Sequence, residues 1–448
     1  MDAGQLKLLG ARVRELLAEW DIGISHGEAL DLVAALPGLR DWPEVIAFPD
    51  QVATREIDLD ATRRLGGRIG TKFGERLSPR VASRLDAVPL MDRLAPWAIV
   101  EPRSPAQRER LIVTSGDSAS GGVRVAAIAD RVERTSQQLV WGPVPLRDDP
   151  LEFLAARFAA WDADLDTTDQ PEDWERDALS PRLARHQSWE HHLAAFHEYD
   201  RIELWIDPRP NAQLQLLQLL DWLGRQVALA EKVFLMQADQ PIGGCGPFDI
   251  RSLCTRVAKV GRPQFELAAR AWHAFCEATP QSWFDLLSSD LAALPRVRAT
   301  VRALLAELPA TATGLRATER RLLERVAEGG ATWRSVFPKM LRFDEVGVFS
   351  YWELGRLLDD LARGSSPAIT GLPDGPFDMA LHDDPARLEQ YQLSELRLSP
   401  FGEALLRGEE DFVRTRAVRF WWGGTKVTHE RLWRWDGPTS TLSLSQAP

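Results

Sequence analysis

The chain has 448 residues, 44% of them hydrophobic, and a net charge of −11; the length predicts about two to four domains, and the acidity weighs against nonspecific nucleic-acid binding by the whole chain. No apolar run approaches the roughly 20 residues that span a bilayer, so no membrane partner is expected. MDAGQLKLLGARVRELL lacks the charged-then-apolar order of a signal peptide, and three cysteines without a CxxC predict free thiols, which together predict a cytoplasmic location.

Residues 1–95 read as a helical N-terminal module. Apolar residues recur near helical spacing in LKLLGARVRELLAEW, and Ser25 with Glu28 forms a capping box before ALDLVAAL. A helix capped by Asp58 or Asp60 is expected to run to about Lys72. It carries Arg64, Arg68, Lys72 and Arg76 at four-residue spacing, and segment 61–84 holds seven Lys/Arg against one Glu. That face either meets an anionic partner or is a solvated face paired with nearby acids. Gly66, Gly70 and Gly74 share the spacing and would allow close helix packing.

Residues 96–109 read as a proline-rich linker. From 110 to 262 strand and helix patterns alternate: LIVTSG, QQLVW, RIELWID and KVFLMQAD are strands, and 121–133, 151–161, 181–198 and 212–229 are helices. This predicts α/β plus α architecture, with a Rossmann-like, mainly parallel sheet domain. Residues 263–312 form a helical connector. Residues 313–410 read as a C-terminal winged-helix-like domain, with helices at GLRATERRLLERVAEG, Trp333–Met340 and SYWELGRLLDDLARG, wing strands at PAITGL and YQLSELRLSP, and a closing helix at FGEALLRG. The third helix sets Glu353, Asp359 and Asp360 against Arg356 and Arg363, a poor balance for reading a DNA groove. The tail, 411–448, holds six Lys/Arg, four Trp and one Glu between 414 and 435. It either stacks on bases or packs back on the protein, with Gly423-Gly424 as its turn.

Several of these segments carry a resemblance. GDSA at 116–119, LVWGPVP at 139–145, QLQLLQLLDWL at 213–223, LAARAWHAF, GLRATERRLLERV and FWWGGTKV resemble a bacterial family of domains of unknown function, followed by its usual second such domain. The resemblance covers about 110–427 and implies no reaction. Members place an acid, a His and an Asp after the Trp-ending strand; here Trp205 is followed by Ile206, Asp207 and Pro208, so only one acid remains. They also carry His and Glu where Trp141 here runs directly into Gly142. Separately, Ser25, His26, Ala29, Leu30, Arg40, Asp41 and Trp42 resemble a small helical module found in bacterial proteins, some of the glyoxalase superfamily, which implies packing and no metal chemistry.

The strongest candidate site is the turn after LIVTS. A strand feeding Gly116, Asp117 and Ser118 into a helix start presents backbone N–H groups and the positive dipole end to an anion, with Ser120 and Gly121 in support. Asp117 or Ser118 would alternatively do no more than cap the helix. If the sheet is open and parallel, Trp141, Asp207 and Gln213 join the turn at the strand ends. The pattern is neither a full GxGxxG nor a P-loop, so no cofactor is named. His186, Glu190 and His197 share a helix face but are too spread for one metal ion. Cys245 in IGGCGPF has no His nearby in sequence, and no GxSxG elbow is present. The expected function is recognition of a small anionic metabolite, a nucleotide or phosphosugar. A transferase or hydrolase on a nucleotide-like substrate is one alternative and a winged-helix transcription regulator another. Homo-oligomerisation is compatible with all three, and the sequence does not decide whether the chain is an enzyme.

Overall fold

A computed structural model describes the chain except residues 1–2, 19, 21, 54–58, 75–109, 127, 136, 166–167, 171–195, 330, 341–346, 373–374, 417 and 446–448. The expected linker 96–109, Arg76, Asp58, His186 and Glu190 lie outside the described residues. Two compact units result: Met1–Arg134 with Ile242–Val257, and Thr135–Pro241 with Ala258–Pro448. The fold is mixed α/β.

The first unit opens with helices Ala3–Ala18, His26–Val33, Trp42–Ala47, Pro49–Ala53 and Leu59–Phe73. Leu6, Leu9, Val13, Leu16, Leu32, Leu65 and Ile69 bury their side chains in one core. The capping box is present: Glu28 N–H donates to Ser25 Oγ, and Ser25 N–H donates to the Glu28 carboxylate. That N–H and the Lys72 ammonium hold the Glu28 carboxyl down to about 2. Asp41 caps Trp42–Ala47, and Trp42 N–H donates to Asp31 at 3.0 Å. The basic ridge is spent inside the module. Arg64 donates to the carbonyls of Ala35 and Leu36, Arg68 to those of Asp31 and Leu39, and Lys72 pairs with Glu28 at 3.1 Å. These guanidiniums satisfy carbonyls at a helix end that has no intrahelical donors left. Among the described residues an added Cβ on Gly70 or Gly74 would meet nothing within 4 Å, so no close packing is seen at them there.

β1 (Arg110–Thr114) leads into the helix Asp117–Ala126, and β2 (Arg131–Arg134) returns parallel to β1. The helix expected over 121–133 therefore stops early. Asp130 is the reason: its N–H donates to the Arg110 carbonyl and its carboxylate accepts the Arg110 N–H at 2.8 Å. The chain is thus pinned beside the start of β1.

In the second unit β3 (Arg201–Ile206) and β4 (Val233–Gln237) are parallel, and the short β5 (Ala258–Lys259) is antiparallel to β4. The expected strand QQLVW does not form. Its backbone groups are taken by side chains instead. Asn211 Oδ1 accepts the N–H groups of Leu139 and Val140, and Asn211 Nδ2 and Gln215 Nε2 both donate to the Gln137 carbonyl. Arg157 donates to the carbonyls of Gln138 and Trp141, and Trp222 Nε1 to that of Arg147. The N–H groups of Leu139 and Val140 and the carbonyls of Gln137, Gln138 and Trp141 are thereby taken from any ladder. Asn211, Gln215 and Trp222 all lie on the helix Pro210–Gly224, which is buried from Ala212 to Leu223.

Helices Arg262–Cys276, Gln281–Asp285 and Val297–Leu305 follow as expected. Then come the helix Ala317–Ala327, β6 (Ala331–Thr332), the helices Trp333–Met340 and Tyr351–Leu361, β7 (Ile369–Thr370), the helices Met379–His382 and Pro385–Leu393, β8 (Glu395–Leu398) and the helix Pro400–Arg407. β8 lies between β6 and β7, antiparallel to both.

The tail packs back on the unit. β9 (Arg419–Trp422) and β10 (Thr425–Thr428) form a hairpin, as do β11 (Leu432–Asp436) and β12 (Thr441–Ser445). At the first hairpin's turn Gly423 has φ +57, its carbonyl accepts Val144 N–H at 2.9 Å, and Gly424 N–H donates to Phe275 O at 2.9 Å. Trp422 stacks edge-on with Phe275 and donates Nε1–H to Leu304 O at 2.8 Å.

Two stability predictions follow from these contacts. Asn211→Ala strands two N–H groups and weakens a third contact, and is expected to cost about 2–3 kcal/mol by urea unfolding. At Gly424 a Cβ would lie 1.9 Å from Cys276 O, whereas at Gly437 the nearest atom is 3.7 Å away. Gly424→Ala should therefore lose about 3 kcal/mol and Gly437→Ala less than about 1; equal losses would refute the close approach.

Candidate functional site

Ser115 and Gly116 form the step from β1 into the helix Asp117–Ala126. Gly116 O accepts Ser120 N–H at 3.0 Å, closing the first turn. Ser118 and Gly121 are exposed, while Ala119 and Ser120 are buried. Ser120 Oγ is buried without a hydrogen-bond partner. The N–H groups of Ser118 and Ala119 have no acceptor among the described residues.

A second glycine-rich segment packs on this helix start. Residues Ile242–Gly244 form a single turn, closed by Cys245 N–H donating to Ile242 O at 2.9 Å. A Cβ on Gly243 would stand 2.5 Å from Ser118 Cβ and 3.2 Å from Ala119 N. The two backbones approach this closely only because Gly243 has no side chain. Behind it, Ile250 of the helix Pro247–Leu253 packs on Gly122, and Arg251 donates to Ala126 O at 3.0 Å. The double glycine of IGGCG was the available sequence signal, read there as the setting of Cys245.

Gly116, Asp117, Ser118, Ser120 and Gly121 thus share one helix start in the first unit. Trp141, Asp207 and Gln213 belong to the second. Asp207 and Gln213 meet: Gln213 is fully buried and its Nε2 donates to Asp207 O at 2.7 Å, while its Oε1 accepts from Gln237 at 3.3 Å. Both contacts hold the chain between β3 and the next helix. Trp141 is not at a strand end. It is buried edge-on to Phe349, with the Arg356 guanidinium 6.0 Å from its ring centre.

Cys245, Cys254 and Cys276 form no disulfide among the described residues. Arg110 Nη2 lies 3.7 Å from Cys254 Sγ, and burial with the Asp221 charge pushes the Cys276 thiol up. Among the described residues no group of three His, Cys, Asp or Glu is placed to hold a metal ion, and no helix is long and apolar enough to cross a membrane.

One feature of the second unit gave no signal in the sequence. Trp141, Phe349, Phe420, Trp421 and Trp422 line an aromatic cleft together with three buried ionisable groups, Asp169, Glu307 and Arg316. The Arg316 guanidinium stacks 3.6 Å over the Phe420 ring.

No protein-family model matches the chain, and no curated protein matches it.

Proposed function

We propose that the chain binds a small anionic metabolite, a nucleotide or phosphosugar, at the turn 116–121. The observation that carries this reading is the pair of unpaired N–H groups, Ser118 and Ala119, at the start of a ten-residue helix. Such groups and the helix dipole attract a phosphate together. The glycine turn Ile242–Gly244 forms one wall without a side chain in the way. Trp141 and Gln213 leave the proposal, since both are buried and occupied by structural contacts. A Rossmann-like description suits the parallel β1–helix–β2 step, and reaction chemistry at Asp117 is the enzyme version of the same site.

The order helix, β6, helix, helix, β7, β8 with β8 central supports a winged-helix-like module, with two helices inserted where an extended wing would be. Groove reading is the weaker use of it. No residue of Tyr351–Leu361 is fully exposed, and Arg356 donates to Gln170 O at 2.5 Å. A structural or dimerisation role fits this burial better.

Thermal unfolding of the full chain against phosphate, pyrophosphate and AMP tests the anion site. A ligand at a hundred times its dissociation constant adds about 2.7 kcal/mol, a rise of about 5–10 °C. Ser118→Asp places a carboxylate where the anion would sit. It should erase that rise and leave the unliganded midpoint unchanged or slightly higher. A flat response in the wild type, or a rise that survives Ser118→Asp, sinks the proposal.

A further inference from the structure

Between the helices Val297–Leu305 and Ala317–Ala327 the chain folds back, and Glu307 sits inside the bend at 3% exposure. Its carboxylate accepts the Thr318 hydroxyl at 2.6 Å and the Thr318 N–H at 3.3 Å. It therefore caps the first turn of the following helix. The charged groups that face it are Arg321, at 3.9 Å, and the buried Arg316. Arg316 in turn stands 3.8 Å from Glu319, and Arg416 stands 3.4 Å from Glu319 and 3.9 Å from Asp360. With Glu307 ionised, the guanidiniums of Arg316, Arg321 and Arg416 face the carboxylates of Glu307, Glu319 and Asp360 in equal number. With Glu307 protonated, the cations are in excess by one.

Arg316 is the element free to respond. It forms part of the aromatic cleft on one side and of a smaller cavity on the other, which Glu319, Phe412 and Arg416 also line. It is held by stacking on Phe420 and by an ion pair too long for a hydrogen bond, and its Nη2 has no hydrogen-bond partner. In a poorly screened interior, a one-charge change at a neighbouring carboxylate outweighs such loose restraints.

We infer that Glu307 is a proton-binding site whose occupancy resets Arg316 and, through it, the cleft lined by Trp141 and Trp421. Burial pushes the Glu307 carboxyl up to about 7, with the Thr318 hydroxyl and the Arg321 and Arg316 guanidiniums pulling the other way. Because the folded value is raised, the protonated carboxyl favours the fold at acid pH. That contribution is complete below the ordinary carboxylate range and is lost as pH rises through about 7.

The test uses the full chain with glutamate carboxyl carbons labelled for NMR. One resonance, missing from Glu307→Gln, should titrate with its midpoint near 7. With fluorotryptophan incorporated, the signals assigned through Trp141→Phe and Trp421→Phe should move with that same midpoint and stand still in Glu307→Gln. Arg321→Met, at a part-exposed position, removes an opposing cation and should raise the midpoint, which keeps the test decisive should the Gln variant not fold. Absence of any glutamate titrating above about pH 6, or no change of midpoint in Arg321→Met, overturns the proton site. A Glu307 titration that leaves both indoles unmoved overturns the coupling to the cleft.

Discussion

The second unit depends on satisfying the backbone of a buried segment that joins no sheet. Residues 137–147 run through the interior with Leu139, Val140, Trp141 and Val144 buried. Every such segment must find partners for its N–H and C=O groups or lose about 1–3 kcal/mol for each buried group left over. Here the partners are side chains of Asn211, Gln215, Trp222 and Arg157. This accounts for Asn211 and Gln215 on a helix, Pro210–Gly224, that is buried nearly all round. Its leucines pack, and these two amides take backbone groups that a neighbouring strand would otherwise have paired.

Other contacts build on that segment once it is fixed. Val144 offers its N–H to Gly423, and Trp141 offers its face to Arg356. Gly142 has φ +76, and a Cβ there would collide with the Trp161 ring at 2.1 Å, so the turn after Trp141 admits only glycine. The tail hairpin meets the segment at one end and the Arg262–Cys276 helix at the other. Gly423 and Gly424 let the hairpin backbone come within hydrogen-bonding distance of Phe275 O, and Trp422 then reaches Phe275 and Trp283. Trp422 is therefore a packing residue, and the basic residues beside it serve Asp164, which pairs with Arg419 at 3.0 Å and with Lys426.

What the sequence made legible was local. The Ser25 capping box, the helix Trp333–Met340, the strands β3 and β4 and the Gly423-Gly424 turn are each specified by neighbours a few residues apart. What it hid was set by distant side chains. QQLVW has strand composition, but its hydrogen bonds go to residues some 70 positions on. The helical pattern of 121–133 gave way to Asp130 pairing with Arg110. At the candidate site, the turn 116–121 was legible because strand, glycine and helix start are contiguous. Gly243 was not, because nothing local ties it to Ser118.

The arginines bear on how an anion would be bound. A guanidinium offers five donors in a fixed fork, which suits it to gather carbonyls that a helix end or an irregular segment leaves unpaired. Arg64, Arg68, Arg157 and Arg356 all do this. Arg316 is stacked and buried, and Arg434 pairs with Asp411 at 2.7 Å. Among the described residues, several basic groups that look, in one dimension, like surfaces for a polyanion are thus engaged within their own unit, as with Arg64, Arg68, Arg419 and Lys426. Under the proposed function, a small anion would be held by backbone N–H groups, which carry no side-chain charge to be neutralised by a neighbouring acid. The Ser118–Ala119 helix start has that property, and its glycine wall keeps the approach open.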